Sequence, residues 1–191
     1  MRMKKISSIF GIAAIGVFVL SFFVFAKLTP SFDIINDVVS ELGAADQPFA
    51  MAWNLVGFVG VGILLAGFGI TYGLAISDRL LAVLLGLFGL AYASISFPVQ
   101  LHEPEALSTR MHIAIVCLAM ALWCLSLARM NAKGVFANAI ARNTSVTSIV
   151  LVILSVTGLG AEILSTAHFQ RLFFGGIFLW VGGVSVSNLR R

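Results

Sequence analysis

The feature that most constrains this chain is a set of six apolar runs, at residues 6–26, 50–75, 80–97, 111–128, 146–163 and 172–187, separated by short polar segments. A helix needs about 20 predominantly apolar residues to cross the hydrocarbon core of a bilayer. None of the six runs carries Asp, Glu, Lys, Arg or His near its middle. Composition agrees: 60% of the residues are hydrophobic and 10% charged, against roughly 45–50% and 25% in a soluble domain. The expected fold is an all-α membrane protein, one multi-pass domain over residues 1–191. It is a six-transmembrane-helix bundle with a short amphipathic external helix after the first span and both termini cytoplasmic.

The orientation follows from the cations. Arg2, Lys4, Lys5, Arg79, Arg129, Lys133, Arg142, Arg190 and Arg191 fall on the side of the N-terminus, and Lys27, Arg110 and Arg171 on the other. Positive charge stays cytoplasmic, so nine against three places both termini inside a cell (plasma or inner) membrane. MRMKK before the first run resembles a signal-peptide leader, but no small-residue cleavage site follows, so a retained first helix is expected. Acids run the opposite way: Asp78 alone lies inside, and His102, His112 and His168 are all outside. The net charge of +4 is spread over helix ends rather than gathered in a patch, so nucleic acid is not an expected partner; membrane lipids are, with room for a protein partner at the outer face.

Gly62, Ala66, Gly69 and Gly73 in the second run, and Ala82, Gly86, Gly89 and Ala93 in the third, recur at steps of four, three and four. Such stripes let helix backbones approach closely. Gly175, Gly176, Gly182 and Gly183 add small residues to the sixth run. Cys117 and Cys124 lie seven apart on one helix, roughly 10 Å along the axis, too far for a disulfide, and read as buried thiols. The segment 131–145, with Val135, Phe136 and Ile140 among Lys133 and Arg142, is expected to lie on the anionic inner leaflet.

The polar chemistry gathers outside. TPSFDIINDVVSELG, residues 29–43, reads as the external helix, with Thr29 as cap, Pro30 at the first position and Gly43 as the stop. Asp33, Asp37, Ser40 and Glu41 share its polar face. In FPVQLHEPEALSTRMH, residues 97–112, Pro98 ends the third helix and Pro104 opens the fourth. Glu105, Ser108, Thr109 and His112 then share one face. Residues 165–171 contribute His168, Gln170 and Arg171. Carboxylate plus imidazole suits zinc or general acid–base chemistry. Ser40 could act as a nucleophile beside a histidine. Trp53 reads as an interfacial anchor, and Asn54 as a buried amide bonding across helices or to a ligand. No compact catalytic signature of the H-E-x-x-H or G-x-S-x-G kind is present.

Ser40-Glu41-Leu42-Gly43 after the first helix resembles the S-x-L-G signature of a prokaryotic membrane family catalogued as domain of unknown function 998. The likeness continues through Trp53-Asn54, Phe97-Pro98, His112 and Arg171, and so spans nearly the whole chain. It implies a multi-pass bundle with a shared outer-face site and supplies no activity. The chain has His168-Phe169-Gln170-Arg171 where members often place a glycine and a glutamine before the arginine, so no role carries over to His168. A more distant likeness, of architecture alone, is to membrane hydrolases of the alkaline ceramidase type.

These readings order the functions. First comes a hydrolase or transferase acting on a lipid or lipid-linked substrate at the outer leaflet. Asp37, Ser40, Glu41 and His112 would be catalytic, Arg171, Asn54 and Trp53 substrate-binding, and Glu41, His112 and His168 ligands for a divalent metal such as zinc. A non-catalytic lipid-binding or accessory protein is the alternative. A small-molecule transporter is third, because no charge sits at the centre of a span.

Overall fold

The apolar runs fold as helices because nothing in them interrupts the helical hydrogen-bond ladder. The computed structural model describes residues 2–103, 105–133 and 139–190. Among them are six principal helices: α1 (Arg2–Leu28), α2 (Ala50–Ala75), α3 (Arg79–Ser94), α4 (Leu107–Ala132), α5 (Ala139–Gly160) and α6 (Thr166–Leu189). Five are long and apolar enough to cross a membrane. α3 has 16 residues, about 24 Å of helix, against a hydrocarbon core of about 30 Å.

The outward surface is apolar. Leu20 is 70% exposed and Met51 84%, and Phe23, Ile63, Leu118 and Leu154 also point away from the bundle. A water-soluble protein rarely tolerates contiguous apolar surface of this extent, so these side chains belong against lipid. Inside, Trp53, Trp123 and Trp180 are fully buried with Phe58, Phe68, Phe88 and Tyr92. Their rings meet edge to face, as in Phe68–Trp180 at 5.6 Å and Trp53–Phe58 at 5.5 Å between centroids.

α2 packs on α3 along the two small-residue stripes. A methyl group at Gly62 would overlap the backbone of Ala93; at Gly73, that of Ala82; at Gly89, that of Ala66. The stripes therefore mesh antiparallel. α1 lies against α2 and α6, α3 against α4, and α5 against α6. In α6 only Gly176 and Gly183 meet a neighbouring helix closely; Gly175 faces open space and Gly182 is in ordinary contact with Ile15. Ser7 donates from α1 to the Phe68 carbonyl of α2 (3.2 Å), and Ser8 to the Ser185 carbonyl of α6 (2.9 Å). These bonds set the two chain termini and the α2–α3 turn at one end of the bundle. Of the other four connections, those after α1, α3 and α5 lie at the opposite end, and the one after α4 includes residues 134–138, which lie outside the described residues.

Several expectations need correction. Residues 29–38 are not an external helix: they run in turns, and only Val39–Gly43 forms a short 3-10 helix. The cause is the side chain of Asp33. Its Oδ1 accepts the backbone N–H groups of Ile35 (2.7 Å) and Asn36 (3.3 Å), while Asp37 Oδ2 accepts that of Asp33 (2.7 Å). Aspartate that binds nearby N–H groups offers the backbone a turn in place of a helix. α3 ends at Ser94, before Phe97 and Pro98, and α4 begins at Leu107 rather than at Pro104, which lies outside the described residues. Cys117 and Cys124 are exposed on α4, facing lipid, rather than buried. Ile140 and Arg142 belong to α5; Val135 and Phe136 lie outside the described residues.

Candidate functional site

Residues 29–49 form a strap across the end of the bundle opposite the termini, and two helices and the connection after α3 hold it. From α6, Arg171 Nη2 donates to the carbonyls of Ile34 and Asp37, the latter at 2.8 Å. The neighbouring Gln170 Nε2 donates to Ser40 Oγ at 3.3 Å. From α2, Asn54 Nδ2 donates to the Gly43 carbonyl at 3.0 Å. Gly43 is required there, since a methyl group would overlap the Asn54 amide. Leu42 is buried between these ties, and Ala45 N–H bonds the Val99 carbonyl of the next connection at 3.0 Å. Ser40, Leu42 and Gly43 thus each have a task in docking the strap.

The geometry at Asn54 comes from a π-helical segment, Asn54–Gly60, inside α2. Its wider turn follows Trp53, and Gly57 leaves room for the indole: a methyl there would stand 2.8 Å from Trp53 Cζ3. Trp53 is consequently 0% exposed, enclosed by Phe18, Phe22, Phe25 and Phe58. It is a core residue beneath the strap and not an interfacial anchor. π-segments of this kind often mark functional positions.

Acids surround the guanidinium without pairing with it. Asp33, Asp37 and Glu41 all act on the charge of Arg171, yet among the described residues none is within ion-pair distance. Asp33 is held below the ordinary carboxylate range, first by the Asn36 side-chain amide (2.7 Å) and then by the Ile35 and Asn36 backbone N–H groups, with Arg171 adding to it. Glu41 is pushed up: its half-burial outweighs the Val38 N–H that donates to Oε1 (3.3 Å), the Asp37 and Asp46 charges add to the rise, and Arg171 opposes it.

The histidines stand apart. His112 Nδ1 donates to the Phe97 carbonyl at 3.0 Å, and its ring lies edge-on to Phe58. It is buried and fastens the connection after α3 to the head of α4. Thr109 does the same, its Oγ1 accepting the Gln100 N–H at 3.1 Å. His168 Nδ1 bonds Ser165 Oγ at 2.7 Å, and that oxygen accepts the His168 N–H at 3.3 Å. This is a helix cap. Glu41 and His112 share no hydrogen bond or ion pair, and His112 is absent from the charges that act on Glu41. Among the described residues no group of three or more His, Cys, Asp or Glu is placed to hold a metal ion, so Glu41, His112 and His168 do not fit a zinc site. His102 and Asp46 approach to 3.9 Å in the open.

The arrangement therefore unites Asp37, Ser40, Glu41, Asn54 and Arg171 under or within the strap and leaves His112 and His168 elsewhere. Gln170, placed at the outer face from the sequence but given no role there, also meets the strap through Ser40. Among the described residues Arg171 Nη1, Gln170 Oε1, Thr29 Oγ1 and Trp53 Nε1 are buried without a partner. A buried polar group left unpaired costs about 1–3 kcal/mol, more when charged, so Nη1 of Arg171 is the costliest of the four.

No curated protein and no solved structure matches the chain. A family model, described as Protein of unknown function (DUF998), matches residues 12–187. With that match covering almost every helix and the whole strap, the chain, whose apolar helices fit a multi-pass membrane protein, belongs to this family.

Proposed function

We propose that this protein is a cell-membrane protein whose strap site grips an anionic group, the phosphate or carboxylate of a lipid headgroup, without chemical turnover. All six helices cross the bilayer in this reading, α3 by locally thinning it. The described cations support cytoplasmic termini: eight lie at the termini end (Arg2, Lys4, Lys5, Arg79, Arg129, Lys133, Arg142, Arg190), and Lys27, Arg110 and Arg171 at the other. The strap then faces outwards.

One observation carries the binding reading. Arg171 spends Nη2 on the strap backbone and keeps Nη1 buried and unpaired, so a charged fork is half used. Guanidinium prefers planar oxyanions, and the acids nearby stop short of pairing with it. A hydrolase or transferase with Ser40 as nucleophile has less support. The partner of Ser40 is the Gln170 amide, which takes up no proton at neutral pH, and no histidine reaches it. Transport has no charge at the centre of a span to support it.

Purified protein should carry bound phospholipid through mild detergent, and Arg171→Gln should lower that retention at least about tenfold, the loss of one charge-assisted contact. Equal retention by wild type and Arg171→Gln would refute the reading. Turnover of vesicle lipid by the wild-type protein would replace it with the enzymatic one.

A further inference from the structure

At the termini end, α2 stops where Ser77 takes a positive φ of 59° and Asp78 N–H returns to the Gly73 carbonyl at 2.9 Å. Asp78 then caps α3, accepting the Leu81 N–H at 3.1 Å. Its two carboxylate oxygens also receive Arg129 of α4, Nε at 2.9 Å and Nη2 at 3.3 Å. Arg129 and Asp78 thereby cancel one another. Arg79 and Lys133 do not: among the described residues neither has an ion-pair partner, and both line the same polar pocket of about 480 Å³.

Arg79 also borders a second cavity. A groove of about 480 Å³ runs along the outer surface of the α2–α3 pair, between Ile70 and Leu74 of α2 and Val83, Leu87 and Leu90 of α3. Its lining is apolar, and the close approach of α2 and α3 at their small residues leaves the furrow between the outward-facing side chains. From Arg79 to Leu90 the helix rises about 16 Å, about half of the roughly 30 Å hydrocarbon core. The groove is therefore as deep as one leaflet and ends at a cation that it shares with a pocket holding uncompensated positive charge.

We propose that this composite site binds one anionic glycerophospholipid, an acyl chain lying in the α2–α3 groove and the headgroup phosphate held between Arg79 and Lys133. The two halves match the two halves of such a lipid in polarity, in length and in sign. A zwitterionic lipid fills the groove equally but brings its own cation to a pocket that already carries two, so selection rests on the headgroup. The site stands at the opposite end from Arg171 and does not depend on the strap.

The test uses full-length protein in nanodiscs of phosphatidylcholine, titrated with phosphatidylglycerol and read by native mass spectrometry. It is run in the Arg171→Gln background so that the strap site does not contribute. One phosphatidylglycerol should bind in preference to phosphatidylcholine by at least about tenfold. Arg79→Gln with Lys133→Gln should bring the ratio to near one. Val83→Trp, which fills the groove from its exposed side, should lower occupancy by both lipids while an unchanged melting temperature reports an intact fold. No preference in the parent protein, or a preference that survives Arg79→Gln/Lys133→Gln, would overturn the proposal; so would undiminished occupancy in Val83→Trp.

Discussion

Asp78 has a side chain only 8% exposed and is compensated by a helix N-terminus and a guanidinium together. Arg129 is the first cause of its lowered pKa, followed by the Leu81 N–H, against the opposing effect of burial. A carboxylate held low in the fold stabilises it above about pH 4, its ordinary value, and that stabilisation is lost as pH falls through the lowered one. Arg129→Gln leaves this carboxylate without its cation. It should cost about 2–3 kcal/mol, less than a fully buried pair because Arg129 is partly solvated. Asp78→Asn in the same protein should recover most of the loss, and melting curves in detergent measure both. Glu41 behaves with the opposite sign. Its raised value means that docking the strap disfavours the charged form, so the penalty is present above that value and is relieved as pH falls through it. Glu41→Gln keeps an acceptor for the Val38 N–H and should gain a few tenths of a kcal/mol at pH 7, with a flatter pH profile of melting between pH 4 and 7.

At the scale of elements, the α2–α3 pair was legible and the strap was not. Small residues at fixed helical steps announce a close interface because only their backbones can meet, and Gly62, Gly73 and Gly89 do meet Ala93, Ala82 and Ala66. Gly89→Val should therefore force the pair apart, at about 3 kcal/mol or more, whereas Gly175→Ala, with open space around it, should be neutral or stabilising by up to about 1 kcal/mol. Thermal unfolding of the two variants separates these outcomes. The strap misled because its apolar residues do recur at three- and four-residue steps, but periodicity does not register the competition between Asp33 and the helical ladder. Trp53 misled for a related reason. Near the end of a span an indole usually anchors at the interface, and nothing in the local pattern announces the π-segment that seats it in the core.

For the whole molecule, the apolar runs stated the class and the number of helices, because burial in lipid leaves a strong compositional mark. They did not state which residues of distant connections meet. The expected grouping of Glu41 and His112 as catalytic, with Arg171 beside them, divided in two: the guanidinium lies among the strap acids, while the imidazole binds Phe97 and closes a different connection. Polar residues at one membrane level share a depth without sharing a site, and only the order of the helices around the bundle decides which of them touch. Arg171 pins the strap over the bundle end, and hydrogen–deuterium exchange of the backbone amides in residues 34–45, compared between wild type and Arg171→Gln, measures that hold. Protected amides are expected in the wild type, with exchange faster by at least about tenfold in the variant. Amides that exchange freely in the wild type, or equally slowly in both proteins, would contradict it.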